Sequence, residues 1–162
     1  MPMRRTVQLA LVLAFLLRPI GVAFANPKER ANDCAEVLGF ATAPTRYLNL
    51  CAEAFPALAP TFHMVGTNYD VRNRGAFSAA LGELIELGRA TGTPDWTEAR
   101  VRNLIFHGTD AAVETTWDDA APRRLDFCSD AVRTYETGKS DITVSIPGKF
   151  RACVGYLKSL LY

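Results

Sequence analysis

The chain reads as a small all-α, single-domain helical bundle, exported and stapled by two disulfides. Three observations predict this. Apolar residues recur at i, i+3, i+4 and i+7 through most of the chain. The first 25 residues have the make-up of a cleavable signal, and all four cysteines of the 162 residues lie beyond them. Prolines and glycines punctuate the apolar pattern often enough to predict about six to eight short helices.

At the start, Arg4 and Arg5 precede an apolar run over 7–17, and Ala23-Phe24-Ala25 stands before Asn26. A basic beginning, a short apolar core and small residues at −3 and −1 describe a secretory signal cut near Ala25-Asn26. The run is 11 residues long with Arg18 and Pro19 directly after it, too short to span a bilayer as a mature helix. The Arg4-Arg5 pair invites a twin-arginine reading, but Gln8 and the apolar core favour the general secretory route. The expected mature chain is 26–162, one domain in a bacterial periplasm or secreted, with no membrane span.

Residues 1–25 carry three arginines and no acid, so the remaining 137 residues hold 15 basic against 17 acidic residues, a net charge of −2. That excludes a globally basic nucleic-acid binder. Four cysteines in an oxidising compartment predict two disulfides. No C-x-x-C spacing suggests a metal site, and only two histidines are available.

In order, Asn26 caps a helix opened by Pro27 that runs to about Leu38 and stops at Gly39. Pro44 opens a second helix through Tyr47, Leu48, Cys51 and Ala52, closed by Phe55-Pro56. In such a hairpin Cys34 and Cys51 lie at nearly equal height. Pairing Cys34 with Cys51 is therefore expected, at on the order of 3 kcal/mol by loop entropy. Pro60 begins a weaker helix with Phe62, Val65 and Tyr69 on one face, interrupted by Gly66, Asn68 and Asn73. Residues 75–92 form the expected central post, with Phe77, Ala80, Leu81, Leu84, Ile85 and Gly88 inward and Glu83, Glu86 and Arg89 outward. Gly92 supplies its C-terminal cap.

Thr93-Pro94-Asp95 signals the next helix, holding Trp96, Val101, Leu104 and Ile105 and ending at Gly108. Thr109 or Asp110 caps a shorter one through Val113 and Trp117. Pro122 restarts the chain into Leu125, Cys128, Val132 and Tyr135, ending at Gly138. Ile142, Val144 and Ile146 alternate with Thr143 and Ser145, predicting an extended connector. Pro147 opens the last helix through Phe150, Cys153, Leu157 and Leu161, and Cys128 is expected to pair with Cys153 because the two stand on consecutive helices.

Candidate chemistry is sparse. His107 stands at a helix end, where a cation is favourable. His63-Met64 offers an axial haem ligand without the C-x-x-C-H of covalent attachment. Glu83 and Glu86 form an i, i+3 carboxylate pair with no E-x-x-H partner. Trp117-Asp118-Asp119 with Asp126 makes an acidic, aromatic-edged region suited to a glycan or a cation. The arginine doublets Arg72/Arg74, Arg100/Arg102 and Arg123/Arg124 would form a contact surface for acidic proteins if the fold united two of them. No nucleophile elbow, zinc-protease motif, phosphate loop or dinucleotide fingerprint is present. The sequence thus predicts no catalytic residue, cofactor or metal. It favours a non-enzymatic partner of another envelope or secreted protein, such as an inhibitor, an immunity protein or an accessory factor. Its surface would draw on Arg72, Arg74, Arg100, Arg102, Trp117, Asp118 and Asp119. The alternatives are an envelope hydrolase using Glu83, Glu86, Asp118 and Asp119, or a haem or small-ligand carrier through His63.

Overall fold

Asn26 begins the first helix as the sequence predicts, its side chain accepting from the Lys28 amide at 3.1 Å ahead of Pro27. The computed structural model describes residues 26–92 and 96–162, and the side chains of all of these except Tyr156 and Leu157. The signal segment 1–25 and the Thr93-Pro94-Asp95 start lie outside the described residues.

The described chain is α-helical and contains no strand. Four long helices are α1 (Pro27–Ala54), α2 (Ala59–Ala90), α3 (Glu98–Asp119) and α4 (Arg124–Glu136). Three short pieces follow: α5 (Ile142–Ser145), α6 (Pro147–Val154) and α7 (Tyr156–Ser159). A turn of 3-10 helix at Pro56–Leu58 folds α2 back along α1. These two helices form an antiparallel hairpin, and α1 touches α2, α3, α4 and α6. The hub of the molecule is therefore α1, while the expected central post over 75–92 is only the second half of α2.

Pro44 does not start a helix; it lies buried inside the 28 residues of α1. A proline there leaves the carbonyl four residues back without its amide donor. That carbonyl belongs to Phe40, and the hydroxyl of buried Tyr69 on α2 donates to it at 3.5 Å. Gly39 and Gly108 likewise lie within helices, where the sequence predicts ends. Gly92 and Gly138 do cap, at φ of 79° and 74°. Gly155, at φ 83°, breaks the expected last helix into α6 and α7.

The continuity of α1 overturns both expected disulfide pairings. Cys34 and Cys51 ride one helix, about 25 Å apart at 1.5 Å per residue. They bond instead to different C-terminal helices: Cys34 to Cys153 on α6 and Cys51 to Cys128 on α4. Each bond sits in its own buried cluster. One holds Val37, Leu38, Leu81, Leu84, Ile142 and Phe150 around the first bond, and the other holds Leu48, Phe62, Val65 and Ala131 around the second. Between them lies the layer of Pro44 and Tyr69. The loops closed span 119 and 77 residues, so chain entropy gives roughly 4–5 kcal/mol for each bond.

The segment expected to be extended is held as a helical turn by α2. Buried Asn73 accepts from the Ile142 amide at 2.8 Å and donates to Asp141 at 3.1 Å, and Arg72 bonds Asp141 at 3.0 Å. Ile142 and Ile146 then share a face at i, i+4 and pack on the first cluster, while Val144 stays exposed. What reads as two-residue alternation is one helical turn.

Candidate functional site

Two concavities flank the crossing of α1 and α3, and each is built from regular helix stripes. On one side, Thr42, Thr45, Arg46 and Asn49 of α1 face Asp70, Asn73, Arg74 and Phe77 of α2. Both sets run i, i+3, i+4, i+7, a single stripe on each helix. Phe106 of α3 closes a cleft of about 430 Å³.

The polar groups of this cleft are held apart. Thr45 donates to Asp70 at 2.7 Å, and Arg46 pairs with Asp110 at 3.0 Å while its guanidinium lies 5.5 Å from the centre of the Phe106 ring. Arg102 stands 5.2 Å over Phe77 and pairs with Glu98 at 2.7 Å. Arg74 is exposed and has no ion-pair partner among the described residues. Asp70 and Arg74 are spaced i, i+4, the separation at which helix ion pairs form, yet the carboxylate turns to Thr45 instead. Asn73 contributes only its edge, because its amide is spent on Tyr69, Asp141 and Ile142.

On the other side of the crossing, a groove of about 530 Å³ runs between Ala35, Gly39, Phe40 and Ala43 of α1 and Leu104, Ile105, Gly108 and Ala112 of α3. Glu36 is its one charged lining residue among the described residues. Leu104 is 54% exposed at its rim, and a Cβ added at Gly108 would meet no atom of the described residues within 4 Å.

A third depression of about 530 Å³ lies against α4, lined among others by Tyr47, Asp126, Phe127, Asp130 and Tyr135. Trp117 and Tyr47 both meet the Phe127 ring edge-on, at 6.0 and 5.4 Å, and Arg124 sits 4.7 Å from the Trp117 ring. Burial, with a smaller contribution from Tyr47, pushes the Tyr135 hydroxyl up to about 12.

The fold unites some of the sequence candidates and separates others. Arg74 lines the cleft beside Phe77, whose ring Arg102 overlies from α3. Arg72 is committed to Asp141 and to the Tyr135 carbonyl. Arg100 stands in the first turn of α3, its amide capped by Thr97 at 3.3 Å. Asp126 joins the aromatic depression near Trp117, whereas Asp118 and Asp119 are exposed at the end of α3, outside its lining. Glu83 departs from its expected solvated face. Its side chain is only 10% exposed, clasped by Arg30 and by Lys158 at 3.0 Å, and Arg30 also donates to the Cys153 carbonyl at 2.8 Å. Glu86 pairs with Arg89 at 2.9 Å, so the two glutamates do not converge on a common site. His63 is exposed on α2. Among the described residues no three His, Cys, Asp or Glu side chains group to hold a metal, and no helix is long and apolar enough to cross a membrane.

Arg46, Asn49, Asp70 and Phe106 escape a reading of the sequence alone. The first two belong to a stripe that becomes visible only when α1 is read straight through Pro44. Neither a protein-family model, a curated protein nor a solved structure matches the chain.

Proposed function

We propose that this is an exported binding protein of the cell envelope that acts through contact with another protein at the α1–α3 groove. Export is supported by the composition of residues 1–25 and by the pairing of all four cysteines in disulfides. The observation that carries the binding reading is the groove itself. It is lined on both helices by apolar and small side chains, with Leu104 half out in water. An apolar concavity of this kind gains free energy only when something covers it.

Gly108 adds to the reading. A glycine inside a helix costs about 1 kcal/mol relative to alanine, and among the described residues nothing occupies the space above it. A partner backbone approaching closely would need it. The occupant that fits a groove between two helices is an amphipathic helix, its apolar ridge laid between theirs.

Mature protein bearing Gly108→Glu tests this against wild type, both immobilised and exposed to envelope extract, with mass spectrometry of what is retained. The substitution fills the groove from an open helical position and replaces a glycine with a better helix former, so the variant keeps its fold with a thermal midpoint no lower than that of wild type. The reading predicts a protein retained by wild type and lost from the variant. Equal retention by both, or nothing specific on either, contradicts it.

A further inference from the structure

We infer that the cleft between α1, α2 and α3 is a second binding site, for a small zwitterion with an aromatic side chain, a free aromatic α-amino acid. It lies on the opposite side of the α1–α3 crossing from the proposed protein contact and does not depend on that reading. Its volume of about 430 Å³ falls within the range of small-molecule sites, roughly 300–1,000 Å³.

The charges in the cleft select the ligand. Arg46 is neutralised by Asp110 at 3.0 Å, which leaves, among the described residues lining the cleft, one cation, Arg74, and one anion, Asp70. A guanidinium without an ion-pair partner presents paired N–H donors matched to a carboxylate. Asp70 is fixed by the Thr45 hydroxyl through Oδ1 at 2.7 Å, and its other oxygen keeps acceptor capacity for an ammonium group. The Cβ atoms of an i, i+4 pair stand about 5–6 Å apart. The two charged heads can therefore reach the carboxylate and the ammonium carried on one carbon of an α-amino acid. A simple anion would satisfy Arg74 but bring its charge beside Asp70, so the pair favours a ligand carrying both signs.

The rest of the cleft accounts for the aromatic preference. Phe77 and Phe106 stand on two different helices, and each ring has an arginine over it, Arg102 at 5.2 Å and Arg46 at 5.5 Å. Both rings line the cleft, where a third aromatic ring would find apolar contact.

The test is isothermal titration of the oxidised mature protein with L-phenylalanine, phenylalaninamide, 3-phenylpropionate and L-alanine, which remove in turn the carboxylate, the ammonium and the ring. L-Phenylalanine should bind saturably at one site, and each of the other three at least tenfold more weakly. Arg74→Gln and Asp70→Asn should each weaken L-phenylalanine at least tenfold with unchanged circular dichroism, since Arg74 makes no ion pair among the described residues and asparagine still accepts from Thr45. Gly108→Glu, on the far side of the crossing, should leave the affinity unchanged. No saturable binding of L-phenylalanine, equal binding of 3-phenylpropionate, or full affinity in both cleft variants would overturn the inference.

Discussion

Tyr69→Phe isolates the contact that lets a proline sit in the middle of α1. The phenyl ring keeps the buried volume and the edge contact with Tyr135 at 5.6 Å, so only the hydroxyl is lost. The Phe40 carbonyl then has neither the amide that Pro44 lacks nor the hydroxyl that replaces it. An unsatisfied polar group costs about 1–3 kcal/mol when buried, and this bond, part-buried and at 3.5 Å longer than the usual O–H···O distance, stands at the low end, at about 1 kcal/mol. The assay is urea unfolding of the disulfide-intact protein, read as a shift in midpoint at constant slope. The decisive comparison is a double-mutant cycle with Pro44→Ala. That substitution restores the helical amide to the Phe40 carbonyl, so the cost of Tyr69→Phe should nearly vanish in its background, a coupling of about 1 kcal/mol. An equal cost in both backgrounds, or none in either, would refute the argument that Tyr69 completes the helix.

Three further outcomes follow from the same geometry. Replacing Cys51 and Cys128 with alanine together should lower the unfolding free energy by roughly 4–5 kcal/mol, and hydrogen exchange should rise most around Leu48, Phe62 and Val65, which share a cluster with that bond; uniform acceleration over both clusters would contradict a two-core frame. Glu83→Gln should destabilise by about 1–2 kcal/mol in thermal or urea unfolding, because Arg30 and Lys158 lose the charge they share, and a neutral effect would return Glu83 to an ordinary surface role. Tyr69 and Tyr135 are both held protonated by burial, Tyr135 up to about 12 against an ordinary 10.0. Their folded pKa values lie above the unfolded ones, so stability is complete below pH 10 and is lost as pH rises from about 10 towards 12. Urea midpoints between pH 8 and pH 11.5 should show that fall, with a shallower slope in Tyr135→Phe.

How much of the fold is legible in the sequence depends on whether a local signal is also the deciding one. Asn26 with Pro27, the break at Phe55-Pro56, and the caps at Gly92 and Gly138 are readable because each is settled by its own backbone chemistry. The apolar periodicity of 75–92 is readable in its middle, where Ala80, Leu81, Leu84 and Ile85 are buried, while Phe77 and Gly88 are half-buried. Pro44 misleads because its cost is met from a residue 25 positions away, the Tyr69 hydroxyl, which no local rule contains. That single misreading propagates. Splitting α1 brings Cys34 and Cys51 to one height, forces the remaining cysteines to pair, and breaks the stripe of Thr42, Thr45, Arg46 and Asn49 that lines the cleft. The run at 142–146 misleads for a related reason, since Asn73 supplies the bond that turns it into helix. Glu83 is misplaced because the sequence phase of α2 cannot reveal that Arg30 and Lys158 close over its outer edge.

Photocrosslinking in the intact envelope tests most directly whether the α1–α3 groove meets another protein. Benzoylphenylalanine placed at Leu104, on the groove rim, is compared with the same group at Met64 on α2; both positions are 54% exposed, so they differ in location and not in access. The account predicts a discrete protein adduct from position 104 and none from position 64. Equal adducts from the two positions, or none from position 104, would contradict it.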